Sequence, residues 1–528
     1  MNQSTKKRHP SAFAPLTLAL SIVLSVGGAI IGLQLITTLG ISANTSIIGA
    51  LFAMIIARIP LRMLIKFKSV HRQNLVQTSI SAATFGAANS LILPIGIPYA
   101  LGLPELVIPI FIGITCAMFL DAIMLYKFFD SKMFPAKSTW PPGLATAEAI
   151  KSGDEGGGRA KLLGIGIGVG VLGALLKIPM SAFGVAFIGN IWALTMFGIG
   201  LLLKGYSLPW FGIDLDALYI PHGFMIGAGI IALVQVGVTL FKQRQTLKDQ
   251  SEHETFTRTS KDISQGFGWG FIAFMGVALL LALLGGVITD MGIGQLILFL
   301  LFAAFAAFFH ELIVGISAMH AGWFPAFAVA LITLIVGMLI GFPVKALVIL
   351  VSFSASTGVA FADMGYDLKT GFMLRGNGED IEFEKTGRRQ QLYAALIAFG
   401  VATVVVFLTY QSYFDQDLIP PVDRVYATTI KAGIENGVAL QLFIWAIPGA
   451  LLQLIGGSTR QMGTLFATGL LIMYPIAGWT VLTGIIIRFL TLKIKKGKAE
   501  TPMTILAAGF IAGDAIYNFF NSVLKLGK

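Results

Sequence analysis

Two aspartates, Asp363 and Asp367, stand four residues apart beyond the apolar run 346–362, with Lys369 and Thr370 behind them. At i, i+4 they share one face of any helix that continues that far. Like charges so placed favour keeping a proton on one of them. A carboxylate at the centre of a bilayer costs about 2.5–3.5 kcal/mol, so such groups need a cavity or a partner. The other reading is a solvated loop end in which Asp367 touches Lys369. A second place for chemistry is Pro141-Pro142-Gly143-Leu144-Ala145-Thr146-Ala147-Glu148-Ala149-Ile150-Lys151. Two prolines and a glycine stop regular helix, and Ala145 onward can restart one. So short a helix cannot span, so a re-entrant half-helix entering from the cytoplasm is expected. Gly143 and Ala145 would admit close approach, the free amides at its start would attract a carboxylate, and Glu148 would take a proton. A surface helix with a Glu148–Lys151 pair is the alternative.

Asp514 lies inside the apolar stretch 503–523, with Asn518 and Asn521 following at i+4 and i+7. That polar stripe lines an aqueous pathway or bonds a neighbouring helix; Asp121 is a weaker case of the same kind. His310-Glu311 and His320 approach a zinc-protease spacing, yet positions 314 and 317 are valine and serine, so the i, i+4 histidine pair is missing. Proton uptake, contact with a metal complex, and plain hydrogen bonding between helices stay open there, and His222 is read likewise. Gly168-Val169-Gly170-Val171-Leu172-Gly173 fits a dinucleotide fingerprint only in letters; helix packing through Gly164/Gly168 and Gly166/Gly170 accounts for it better. Ser352, Ser354, Ser356 and Thr357 line a path or bond neighbouring helices.

The elements that must hold these groups follow from composition. Of 528 residues, 56% are hydrophobic and 12% charged, about half the charge of a soluble domain. That excludes a water-soluble enzyme, a disordered scaffold and a disulfide-built secreted protein. At about 20 apolar residues per span the chain is an all-α polytopic membrane protein with about 15–16 transmembrane helices, some of them broken or re-entrant. Cys116 is the one cysteine, expected as a buried small hydrophobe. The net charge of +11 comes from clusters flanking apolar segments (Lys6 to Arg8, Arg58 to Arg72, Lys493 to Lys498), which is the positive-inside pattern and not a nucleic-acid footprint. The C-terminal cluster adds contact with anionic lipids. The run from Phe13 to Leu39 is too long for a signal-peptide core and reads as a first span from a cytoplasmic N-terminus, in an inner membrane.

An internal repeat organises the whole. Phe128-Phe129-Asp130 with Pro135 recurs as Tyr413-Phe414-Asp415 with Pro420. Ala147, Ile150, Lys151 and Gly153 recur as Ala427, Ile430, Lys431 and Gly433; Gly223 to Ile230 recurs as Gly509 to Ile516. This divides the chain into a tail 1–12, a first repeat 13–241, a polar loop and linking span 242–291, and a second repeat 292–528. About seven spans per repeat plus the link predict two parallel, pseudo-symmetric halves, with the interval Lys242–Gln265 outside.

The run from Phe134-Pro135 to Glu148, the stretch Asp363-Met364 through Asp367-Leu368-Lys369-Thr370-Gly371-Phe372, the segment Asn74, Val76, Gln77, Thr78, and the ending Gly509 to Asp514 together resemble the oligopeptide transporter (OPT) family, nearest its prokaryotic and yellow stripe-like branch. The resemblance implies proton-coupled import of small peptides or metal–chelate complexes through a bundle of about 16 helices built by duplication. On motif position and repeat symmetry, Glu148, Asp363 and Asp514 are expected to couple protons. Gln77, Thr78, Gly143, Ala145, Asp367, Lys369, Thr370 and Asn518 are expected to meet substrate. No cofactor or resident metal is expected; a proton gradient supplies the energy, and a homo-oligomer is left open. Two other classes stand as alternatives: an intramembrane metalloenzyme using His310, Glu311 and His320, and a passive channel.

Overall fold

The computed structural model describes residues 9–40, 45–56, 62–138, 140–153, 158–250, 256–321, 326–433, 438–495 and 499–526. Among them every regular element is helical, apart from one isolated bridge between Phe129 and Phe134. The chain begins α1 (Pro15–Leu39), α2 (Thr45–Ile56), α3 (Val70–Phe85), α4 (Leu93–Ala100) and α5 (Val107–Phe128). It continues α6 (Pro141–Gly153), α7 (Gly158–Leu175), α8 (Met180–Ile188), α9 (Ile191–Phe211) and α10 (Ile220–Gln250). After the link α11 (Ser260–Leu284) come α12 (Ile293–Ala321), α13 (Ala326–Ile340), α14 (Val344–Ser356), α15 (Val359–Leu374) and α16 (Ile381–Asp415). Last are α17 (Pro421–Ala432), α18 (Val438–Arg460), α19 (Met462–Leu471), α20 (Pro475–Lys495) and α21 (Glu500–Leu526).

Local chemistry sets these ends. Proline opens α1, α6, α17 and α20, where its missing N–H is harmless. The Asn190 side chain accepts from the N–H groups of Trp192 and Ala193 to start α9, and Thr259 with Asp262 forms a capping box on α11. Ten helices among the described residues are long and apolar enough to cross a membrane, and four shorter apolar helices accompany them. The protein is therefore an all-α polytopic membrane protein. Ile108 and Ile112 on α5 and Leu440, Phe443 and Ile447 on α18 are exposed, as side chains facing lipid are. Cys116 lies with Ile108 and Ile112 on that outer face of α5 and is exposed, not buried as expected.

The halves correspond element by element, α1 to α12 through α10 to α21, but they do not run the same way. Phe111 meets Phe407, Phe119 meets Phe399, and Phe129 accepts from Arg388. As one helix rises the other falls, so α5 and α16 are antiparallel. The corresponding broken spans, α3 with α4 and α14 with α15, are antiparallel too: Gln77 meets Asp367 and Ser81 meets Asp363. The expectation of parallel halves is corrected to inverted ones. Its source is a count: α8 with α9, and α19 with α20, read as single apolar spans, although short breaks at Gly189–Asn190 and at 472–474 make α9 and α20 separate long helices. One more span per half reverses the parity. The described end of the interval Lys242–Gln265 moves accordingly. Thr257 and Arg258 bond Asp130, on the same end of the bundle as Ala12, whose N–H donates to Gln390. We call that end the N-terminal face.

Packing between the halves is reciprocal. α7 lies against α21 and its counterpart α18 against α10. Glycine makes the first seam possible, because a Cβ on Gly170 would sit 2.6 Å from the Phe510 carbonyl oxygen, whereas among the described residues nothing lies within 4 Å of one on Gly164 or Gly168. The packing role expected of Gly166/Gly170 thus holds, and that of Gly164/Gly168 does not. Gly170→Leu is expected to cost about 3 kcal/mol or more through overpacking, seen as loss of a monodisperse peak in detergent. Gly168→Leu, facing open space, should elute as wild type; equal behaviour of the two variants would refute the seam.

Candidate functional site

Asp363 and Asp367 are both fully buried on the α15 face that meets α3. Ser81 Oγ donates to Asp363 Oδ1 at 2.7 Å and Gln77 Nε2 donates to Asp367 Oδ1 at 2.6 Å. Asn74 Nδ2 in turn donates to Gln77 Oε1 at 3.0 Å. The second carboxylate oxygen of each aspartate has no hydrogen-bond partner among the described residues. Gln391 on α16 closes the cluster from a third side: its Nε2 donates to the Asp367 carbonyl at 2.6 Å and to Thr78 Oγ1 at 3.1 Å.

The half-helix α6 docks onto the same part of α15. A Cβ on Gly143 would lie 2.8 Å from Lys369 Cβ, so only glycine allows this approach. Thr370 Oγ1 donates to the Gly143 carbonyl at 3.1 Å and to that of Tyr366 at 2.9 Å. Lys369 Nζ donates to the carbonyls of Ala136 (2.9 Å) and Lys137 (3.3 Å), which fastens the loop before α6. Gln77, Thr78, Gly143, Asp363, Asp367, Lys369 and Thr370 therefore converge in one closed cluster. Ala145 is on the exposed side of α6. The side chains of Glu148, Asn518 and His320 lie outside the described residues.

Sequence reasoning missed the ion cluster beside it. Arg375 reaches Glu384 through Nε (2.7 Å) and Nη2 (3.0 Å), and Arg388 Nε donates to Glu384 Oε1 at 2.8 Å. Arg388 Nη2 also holds Asp130 Oδ2 at 3.0 Å. The signal available was three charges at 375, 384 and 388 flanking an apolar segment, with an i, i+4 pair between the last two. At Asp130 burial opposes the charge, but the Thr257 hydroxyl and the Arg388 guanidinium outweigh it and hold the carboxyl below its ordinary range. Its contribution to stability is present at neutral pH and is lost as the pH falls through that lowered value. His9, packed on the rings of His71 and Phe383 at this face, shifts from the ordinary 6.5 to about 4, first through burial and then through Arg375. The unfolded chain binds that proton first, so stability should decline as the pH falls from about 6.5 toward about 4. Melting curves of His9→Phe should be flatter across that window; an unchanged slope would refute the assignment.

At the opposite end lies a cavity of about 1020 Å³, walled by both halves from the ends of α1, α7 and α16, the start of α10, and α17 and α21. Its wall carries both signs of charge. Lys204 pairs with Asp216, and Arg424 pairs with Asp417 at 2.7 Å; Lys177, Lys431 and Asp514 complete it. Asp514 Oδ2 accepts from the Ser181 N–H at 2.8 Å. Neither Asp363 nor Asp367 lines this space. Among the described residues no group of three or more His, Cys, Asp or Glu is placed to hold a metal ion. That volume stands at the top of the usual small-ligand range, about 300–1,000 Å³.

Residues 15–243 and 239–525 match the family model described as OPT oligopeptide transporter protein. No curated protein and no solved structure matches the chain.

Proposed function

The chain belongs to the OPT oligopeptide transporter family, and from that premise we propose a proton-coupled symporter that imports small peptides, or metal–chelate complexes of similar size, by alternating access. The observation that carries this reading is an asymmetry: a charged cavity built from both halves at one end, and a fully closed polar cluster at the other. Inverted halves with a site between them suit such a cycle. In this reading the repeats 13–241 and 292–528 tilt about each other, the N-terminus lies in the cytoplasm of a prokaryotic-type cell, and the cavity faces outward.

Substrate enters beside Asp514, Lys431 and Lys177, whose charges suit the two termini of a peptide. Inward opening then separates α6 from α15. That breaks the Thr370–Gly143 and Lys369–Ala136 bonds and frees Gly143, Lys369, Thr370 and the neighbouring Gln77 and Thr78 for substrate, with Ala145, Glu148 and Asn518 along the path. Asp363 and Asp367, each with one oxygen unengaged among the described residues, carry the coupling proton together with Glu148.

Binding separates this reading from its rivals. Peptides with free termini should raise the melting temperature of the purified protein, and peptides blocked at both ends should not. Asp514→Asn keeps an acceptor for the Ser181 N–H but removes the charge, and should weaken binding about tenfold, or about 1.4 kcal/mol. Unchanged affinity in a combined Asp514→Asn, Lys431→Ala variant would show that the cavity is not the entry site.

A further inference from the structure

A second buried polar cluster lies at the break between α14 and α15, and the mechanism above leaves it unused. Gly358 sits there with φ +83°, a left-handed turn that favours glycine. Its N–H donates to Asp121 Oδ2 of α5 at 2.6 Å. Glu311 of α12 packs on the same glycine, since a Cβ on Gly358 would lie 3.2 Å from the Glu311 Cα. Asp121 and Glu311 are both completely buried. Asp121 Oδ1 and both carboxylate oxygens of Glu311 have no hydrogen-bond partner among the described residues, nor do His310 Nε2 and Ser352 Oγ nearby in the sequence of α12 and α14.

Charge bookkeeping at this break is one-sided. The charged or titratable groups reaching it come from α5 and α12: Asp121, Glu311 and His310. His310 Nδ1 donates to the Ser354 carbonyl, while its Nε2 is buried with no acceptor among the described residues to hold a second ring proton. From α14 come hydroxyls, and on α15 Asp363 and Asp367 turn away to Ser81 and Gln77. The buried guanidinium groups of Arg375 and Arg388 are engaged by Glu384 and Asp130. Two buried carboxylic acids packed on one glycine, with no cation against them among the described residues, cannot both stay ionised, and no third ligand is placed there to complete a metal site.

We propose that Asp121 and Glu311 share one exchangeable proton and form a protonation site separate from Asp363 and Asp367. Asp121 is the member held as an anion, because it accepts from the Gly358 N–H at the amino end of α15. The proton resides on Glu311, whose oxygens meet no donor among the described residues. Loss of that proton would place two negative charges at the turn joining α14 to α15, so its occupancy is tied to the geometry of that break and to the tilt of α15.

Infrared difference spectroscopy of the full-length protein in lipid nanodiscs tests this without any transport assay. Wild type stepped from mildly acidic to alkaline buffer should lose a protonated-carboxyl C=O band that shifts in D₂O. Glu311→Gln should lack that band, and Asp363→Asn should retain it. Asp121→Asn removes the neighbouring negative charge and should move the band's midpoint to lower pH, a readout that remains should Glu311→Gln not fold. A band that survives Glu311→Gln, or one insensitive to both Asp121→Asn and Glu311→Gln, overturns the proposal. So does a sodium-dependent rise in melting temperature that Glu311→Gln removes, because the pair would then hold a metal cation in place of a proton.

Discussion

Glu384→Gln is expected to give a protein that no longer yields a sharp melting transition in detergent, the largest stability loss of any single substitution considered. Glu384 accepts three charge-assisted hydrogen bonds from Arg375 and Arg388 and is 1% exposed. Glutamine keeps the shape but removes the charge; Arg388 then retains Asp130, while Arg375 is left with the neutral Gln391. Breaking such a pair from one side costs about 3–5 kcal/mol, because the abandoned charge stays buried. Against a typical total stability of about 5–15 kcal/mol, that is a large share. Arg375→Lys, which keeps the charge but loses the bidentate grip, should cost less. A melting curve for Glu384→Gln that overlays wild type would show that the cluster is dispensable.

Asp363→Asn should abolish accumulation of substrate above its external concentration while leaving exchange across the membrane intact. Asparagine still offers Oδ1 to the Ser81 hydroxyl, so the contact between α3 and α15 survives and the variant should fold. What it cannot do is take up and release a proton. A coupled carrier deprived of its proton site becomes an exchanger, and counterflow of labelled substrate from preloaded vesicles measures that directly. Loss of both activities would point instead to a structural role for Asp363, and unchanged accumulation would remove it from the coupling scheme.

Much of the architecture is legible in the residues themselves. Apolar runs of spanning length mark most of the membrane helices, and Pro141-Pro142-Gly143 marks the start of the half-helix α6. The i, i+4 spacing of Asp363 and Asp367 puts them on one helix face, and α15 does continue through both. The direction of the second half was not legible for a physical reason. The breaks at Gly189–Asn190 and 472–474 are only a few residues long and are flanked by apolar segments, so composition alone runs α8 into α9 and α19 into α20. A hydropathy count then gives the wrong parity, although each local reading is sound. Side-chain partners were hidden likewise: Lys369 is near Asp367 in sequence, yet its ammonium lies on the carbonyls of Ala136 and Lys137. Those carbonyls come within reach only once α6 has docked. The cavity depends on how the two halves meet, and no single stretch encodes it. Asp514 was readable as a polar intrusion in an apolar helix, whereas its neighbours across the cavity, such as Lys204 and Arg424, look like ordinary charges near helix ends.

The coupling of peptide movement to proton movement is the centre of the account, and proton influx into reconstituted liposomes tests it most directly. A pH dye trapped inside reports the influx under an inside-negative potential while di- to pentapeptides and metal chelates are added in turn. The account predicts internal acidification that depends on a substrate, that stops when the potential is collapsed, and that is absent in Asp363→Asn. Uptake of the same substrate that proceeds only to equilibrium, with no acidification and no response to the potential, would contradict it.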